Sequence, residues 1–265
     1  MDEVNADRSS IARLDAKTGR CAALADLRRH LLTAPPAYLE GALENPVLGD
    51  HEMLLLLRNW QATPSLLTRV GEDRRWVRKS EVRRLLVQHP RVPLGLARTL
   101  LGHLFWKELA EVAGNLRVHP FVRRQAERLL QVRLELLAAG EKIALARRAP
   151  RGVLTSLIHS DDVRVLRSAL GNTSLIEQDA VTIARGGKAS GELLAYLSNH
   201  PKWGARRSVR QALIRNPRTP VPVALKLVGA LPRRDLRELI RDASVPKIVK
   251  VGAERRLSPT TGSRC

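Results

Sequence analysis

The sequence predicts an all-α chain, a right-handed α-solenoid of short stacked helices built from two duplicated halves. Three observations carry that expectation. Sliding the 265-residue chain on itself by 127 positions pairs Leu39–Leu130 with Leu166–Leu257 without a gap, and 28 of the 92 pairs are identical. They include Asn45 with Asn172, Trp76 with Trp203, Val82-Arg83 with Val209-Arg210, Pro90 with Pro217 and Pro93 with Pro220. Apolar residues recur at helical spacing in windows of roughly three turns, too short to be stable unless they stack on neighbours. Turn markers (Asn45, Asn59, His89, Asn115, then Asn172, Asn199, Asn216 and Asp242) punctuate those windows.

One complete unit runs from Ser208 to Leu231. Val209, Ala212 and Leu213 make an inward stripe, and Asn216-Pro217 ends the helix. Thr219-Pro220 then offers a capping oxygen and a proline whose missing N–H costs nothing at a helix start, and Val223, Leu227 and Leu231 form the next stripe. A third helix follows, with Leu236, Leu239 and Ile240 inward. Glu81–Leu104 states the same unit in the first half.

Taken in order, residues 1–18 read as a flexible N-terminus, 19–138 as the first half, 139–257 as the second and 258–265 as a disordered tail, the halves forming one continuous domain. Cys21–Leu32 is expected as a helix with Leu24, Leu27, Leu31 and Leu32 inward, broken by Pro35-Pro36. Ala37–Leu43, His51–Arg58 and a helix capped by Thr63-Pro64 come next. From His119 the pattern predicts one unusually long helix, running through Phe121, Ala126, Leu129, Leu130, Val132, Leu134 and Leu136 to end at Gly140 and joining the halves. Gly140-Glu141-Lys142 reads as a helix start, since no glycine-rich run precedes Lys142 to cradle a phosphate.

The Val-Arg pairs at 82–83, 122–123, 163–164 and 209–210, followed by Asn-Pro-x-Thr-Pro and an aliphatic helix in the last of them, resemble leucine-rich repeat variant units and, more loosely, HEAT-like repeats. The resemblance spans about Ala34–Leu257 and implies a helical solenoid. It carries no chemistry. Some leucine-rich repeat variant proteins hold an iron–sulfur cluster, but Cys21 and Cys265 are the only cysteines here and a cluster needs about four thiolates, so no cofactor is expected.

Charge is the compositional anomaly. The chain has 46 basic and 26 acidic residues, net +20. Residues 1–68 carry 7 basic and 9 acidic side chains, whereas 69–265 carry 39 and 17. Such a balance favours an acidic partner, nucleic acid first, although an arginine-rich proteome explains it equally well. The polyanion-binding candidates are Arg74, Arg75, Arg78, Arg83, Arg84, Arg123, Arg124, Arg164, Arg167, Arg206, Arg207 and Arg210. Acids are scarce in sequence around Arg83-Arg84 and Arg206–Arg210, so those arginines are expected to be at least partly free. Trp76 lies inside the densest basic run and could stack on a base, but its recurrence as Trp203 points to a packing plug.

Catalytic and metal signatures are missing: no HExxH, CxxC, P-loop or GxSxG occurs, and no catalytic or metal residue is expected. His89, His119 and His200 each precede a proline as turn residues, and Asp161-Asp162 complements a helix dipole. The leading expectation is a non-enzymatic binding module for nucleic acid or another polyanion. A scaffold for an acidic protein is the alternative. A HEAT-like alkylbase DNA glycosylase is a third, with Trp106 and Glu108 its only candidates. Two cysteines at opposite ends and no apolar N-terminal run suggest a cytoplasmic protein without a membrane span; oligomeric state is open.

Overall fold

The computed structural model describes residues 14–258, and all its regular elements are helical. The expected disordered tail, apart from Ser258, and most of the expected flexible N-terminus lie outside those residues. The chain divides into two compact units, one ending at Arg133 and the other beginning at Leu134.

The first unit contains α1 (Ala16–Cys21), α2 (Leu24–His30), α3 (Pro36–Leu43), α4 (Asp50–Arg58), α5 (Pro64–Glu72), α6 (Arg74–Val77), α7 (Ser80–Gln88), α8 (Leu94–Leu101), α9 (Trp106–Gly114) and α10 (Pro120–Arg133). After a 3-10 turn at Leu134–Leu136, the second unit contains α11 (Ala139–Ala146), α12 (Arg151–Leu157), α13 (Val163–Leu170), α14 (Glu177–Arg185), α15 (Gly191–Ser198), α16 (Arg207–Arg215), α17 (Val221–Gly229), α18 (Arg233–Arg241) and α19 (Lys247–Leu257). The starts of α2–α5 and α7–α10 each fall 127 residues before the starts of α12–α19, from Leu24 and Arg151 to Pro120 and Lys247. Within the first unit α2 packs on α4, α4 on α7 and α7 on α9; within the second, α11 packs on α13, α13 on α15 and α17 on α19.

Sequence explains most of these boundaries. Thr63 caps α5 by accepting the N–H of Leu66, Pro64 occupies its first position, and Asp162 caps α13 by accepting the N–H of Arg164. The core is aliphatic: Val82, Leu86, Leu100, Leu104 and Leu109, and their counterparts Val209, Leu213, Leu227 and Leu236, are all buried. Where α1 crosses α3 the backbones nearly touch. A Cβ on Gly41 would sit 1.9 Å from the Ala16 carbonyl oxygen and one on Gly19 would sit 2.3 Å from that of Tyr38, so only glycine fits there.

Four expectations are corrected. Helix α1 begins at Ala16, inside the stretch expected to be flexible, because Asp15 and Thr18 cap each other reciprocally. Leu24 and Leu32 are exposed while Leu27 and Leu31 are buried, since a short helix presents a narrower stripe than four leucines need. In α17 the buried set is Ala224, Leu227 and Val228 rather than Val223, Leu227 and Leu231. The long helix stops at Arg133, whose guanidinium folds back onto the carbonyls of Leu104 (2.6 Å) and Gly102 (2.7 Å). Glu141 then opens α11 by accepting the N–H of Ala138, and Val132 and Leu136 are left exposed.

Candidate polyanion-binding surface

Five of the turn markers are buried joints that hydrogen-bond backbone groups far apart in sequence. Asn45 donates its amide hydrogens to the carbonyls of Gly19 and Ala22 and accepts the N–H of Val47. Asn59 does the same with Leu31, Ala34 and Gln61, and Asn172 with Ala146, Ala149 and Ser174. Asn216 reaches Ala184 and Gly186 and accepts from Arg218. At His89 the Nδ1 accepts the N–H of Arg91 (3.1 Å), which leaves the proton on Nε2 to donate to the Asn59 carbonyl (3.1 Å). All five side chains are buried, so each satisfies polar groups that water cannot reach. Asn199, grouped with them by sequence, instead bonds back to Ala195 within its own helix.

Most of the candidate arginines are used inside the fold. Arg83 Nη1 donates to the carbonyls of Val77 and Arg78 (2.8 and 2.7 Å), and Arg210 Nε donates to that of Gly204 (2.7 Å). Arg84 lies 3.6 Å from both Glu81 and Glu111. Arg206 faces Glu177 at 3.8 Å, and Arg207 bonds to the nearly buried carboxylate of Asp235 at 2.7 Å. The expectation of at least partly free arginines is therefore corrected for Arg83 and Arg84, whereas Arg206 and Arg207 keep most of their guanidinium in water and the terminal nitrogens of Arg210 have no partner among the described residues. The acids come from helices some 28 residues away in sequence, such as Asp235 for Arg207, where a local reading cannot find them.

Among the rest, Arg75 bonds to the Leu48 carbonyl and lies over the Trp76 ring. Arg164 grips its own capping residue Asp162, and Arg167 lies 3.6 Å from Glu192 and over Tyr196. The Arg164 guanidinium holds the Asp162 carboxyl below its ordinary range. Arg123 buries its Nε without a partner. Arg74, Arg78 and Arg124 are exposed and their side chains have no hydrogen-bond or ion-pair partner among the described residues.

Other unpaired cations were not among the sequence candidates. Arg98 on α8, Arg128 on α10, and Arg233, Arg237 and Arg241 on α18 are exposed and unpartnered among the described residues. Arg233, Arg255 and Arg256 line one open cleft of about 730 Å³. The signal that finds them is subtraction: of the acids on or beside α18, Asp235 and Asp242 are bonded to Arg207 and Arg215 of α16, and Glu238 lies 3.6 Å from Arg234.

Trp76 and Trp203 are both buried, the latter donating its indole N–H to the Leu170 carbonyl (3.0 Å). They are packing plugs, closed to a nucleobase. Glu108 accepts the N–H of Phe105 at the start of α9 (2.8 Å), so its carboxylate serves as a cap. Among the described residues no cluster of three metal-ligating side chains occurs, and no helix is long and apolar enough to cross a membrane. No protein-family description, curated protein or solved structure matches the chain.

Proposed function

We propose that the chain is a non-enzymatic helical-repeat binding module, an α-solenoid of two duplicated halves in the manner of leucine-rich repeat variant or HEAT-like units, that grips nucleic acid in the cytoplasm. The repeat reading is supported by the 127-residue spacing of eight helix starts. It is further supported by the asparagine joints, since bonds between neighbouring units are what a stack of helices too short to stand alone requires. The observation that carries the binding reading is the residue of positive charge after internal pairing: Arg74, Arg78, Arg98, Arg124 and Arg128 stand exposed with no acid against them. Cations without an internal partner are available to displace counterions from phosphates. Anisotropy of labelled 20-base-pair DNA and RNA duplexes at low salt tests this. Sequence-independent binding that weakens in R74Q/R78Q/R124Q supports it, and absence of binding rejects it.

A second reading, a scaffold for an acidic protein, is favoured by α18. Arg233, Arg237 and Arg241 are spaced four apart along one side of that helix, while Asp235 and Asp242 face α16. Each preceding pairing of this kind, Arg151 with Asp179 and Arg207 with Asp235, joins one helix to another further along the chain. An acidic helix is the partner that the arginines of α18 would accept.

A further inference from the structure

The second unit contains an open cleft of about 500 Å³ whose lining includes His200, Arg210 and Lys226 and no carboxylate. Its apolar part is formed by Pro222, Val223 and Leu227. The equivalent place in the first unit, 127 residues earlier, is built differently. There Leu96 stands where Val223 does, and its methyl carbons lie 2.6 and 2.8 Å from where a Cβ on Gly71 would be, so the leucine fills the space over that glycine. In the second unit Ser198 and Val223 take those two positions and the space is open.

The polar groups differ in the same direction. Glu72 and Asp73 are replaced by Asn199 and His200, and Thr99 by Lys226, while Arg74 and Arg78 of the rim become Pro201 and Ala205. Two acids and two exposed arginines are thus lost together, leaving a lower rim and one added lysine inside. The arginine common to both places also changes its bonding. Arg83 uses its terminal Nη1 on two carbonyls, whereas Arg210 uses Nε on one and keeps its terminal nitrogens unbonded. Lys226 has no partner among the described residues. At His200 the Nδ1 accepts the N–H of Lys202, which leaves Nε2 as the ring's remaining donor; its ring is held by Tyr196 and Trp203.

We propose that this cleft binds a small organic phosphate monoester, with the terminal nitrogens of Arg210 and the Lys226 ammonium on the phosphate, His200 Nε2 as a further donor, and the ester's apolar group against Pro222, Val223 and Leu227. A forked guanidinium and a point-like ammonium lining one cleft carry two positive charges, which a phosphate dianion matches and a carboxylate monoanion does not. None of these residues is among the cations assigned above to the duplex, and the proposal does not depend on that reading.

Calorimetric titration with phenyl phosphate tests the proposal, with phenol and benzoate as controls. Saturable binding of phenyl phosphate is expected, at least tenfold tighter than either control. It should fall at least tenfold in Lys226→Thr, which restores the residue of the first unit at an exposed position and leaves the fold intact. It should also be lost in Ser198→Gly with Val223→Leu, which restores the leucine filling. Phenyl phosphate binding that is absent, or unchanged in Lys226→Thr, overturns the proposal. A phosphodiester oligonucleotide that binds and is weakened by Lys226→Thr, where phenyl phosphate does not bind, also overturns it and gives the cleft to the nucleic acid.

Discussion

Asn45 and Asn172, 127 residues apart, make the same three hydrogen bonds. Each donates to the carbonyls 26 and 23 residues before it and accepts the N–H two residues after it. Both are buried, so the joint is one that no apolar residue can replace without orphaning two carbonyls. Asn172→Ala should therefore destabilise the protein by about 2–4 kcal/mol in urea unfolding, since buried groups stripped of a partner carry their full desolvation cost. Asn199→Ala, at an exposed amide bonded only within its helix, should cost under about 0.5 kcal/mol. Equal effects at the two positions would remove the joint from the account.

His89 gives the fold a pH dependence near neutrality. Burial of the ring, foremost, and then the nearby Arg91 charge hold its pKa below the ordinary imidazole value, against the bond to the Asn59 carbonyl that works to raise it. Below about pH 6.5 the unfolded chain then binds more protons at this position than the folded one. Stability is complete above that value and declines as the pH falls beneath it. His89→Asn supplies the residue found at the counterpart Asn216, which makes the same kind of bonds without titrating. The difference in melting temperature between pH 7.5 and pH 5.5 should shrink in this variant, while an unchanged difference would place the titration elsewhere.

Arg207 and Asp235 form a pair of unequal exposure: the guanidinium is largely in water and the carboxylate is almost fully buried. Arg207→Ala should cost about 1–3 kcal/mol, because it strips a buried charge of its partner. Asp235→Asn combined with Arg207→Ala should be less than the sum of the two single effects. Strict additivity in that double-mutant cycle would show the pair to be uncoupled.

How far the sequence alone reaches is visible in these residues. The helices, most of their starts and the aliphatic core follow from apolar spacing, the Thr63-Pro64 cap and the repeat offset, but Thr219, expected to cap α17, instead donates its hydroxyl to the Leu213 carbonyl and leaves Pro220 at the helix start. Leu24 and Leu32 were misplaced because a stripe on so short a helix has room for fewer inward residues than the composition offers. The candidate surface was less legible. The partners of Arg83 and Arg210 are backbone carbonyls, which carry no residue-type signal, and Glu111 and Asp235, against Arg84 and Arg207, lie 27 and 28 residues from them. Arg98, Arg128 and the arginines of α18 become candidates only once the paired ones are subtracted.

The central claim is that paired arginines hold the helices together and unpaired ones hold the ligand. It is tested by measuring duplex affinity against salt concentration, alongside melting temperature, for the wild type, R74Q/R78Q/R124Q and Arg83→Met. The account predicts that the triple variant keeps its melting temperature and loses slope in the salt plot, by roughly 0.9 for each phosphate contact removed, while Arg83→Met lowers the melting temperature and leaves the slope unchanged. A wild-type protein that retains no duplex at low salt, or a triple variant with the wild-type slope, would contradict it.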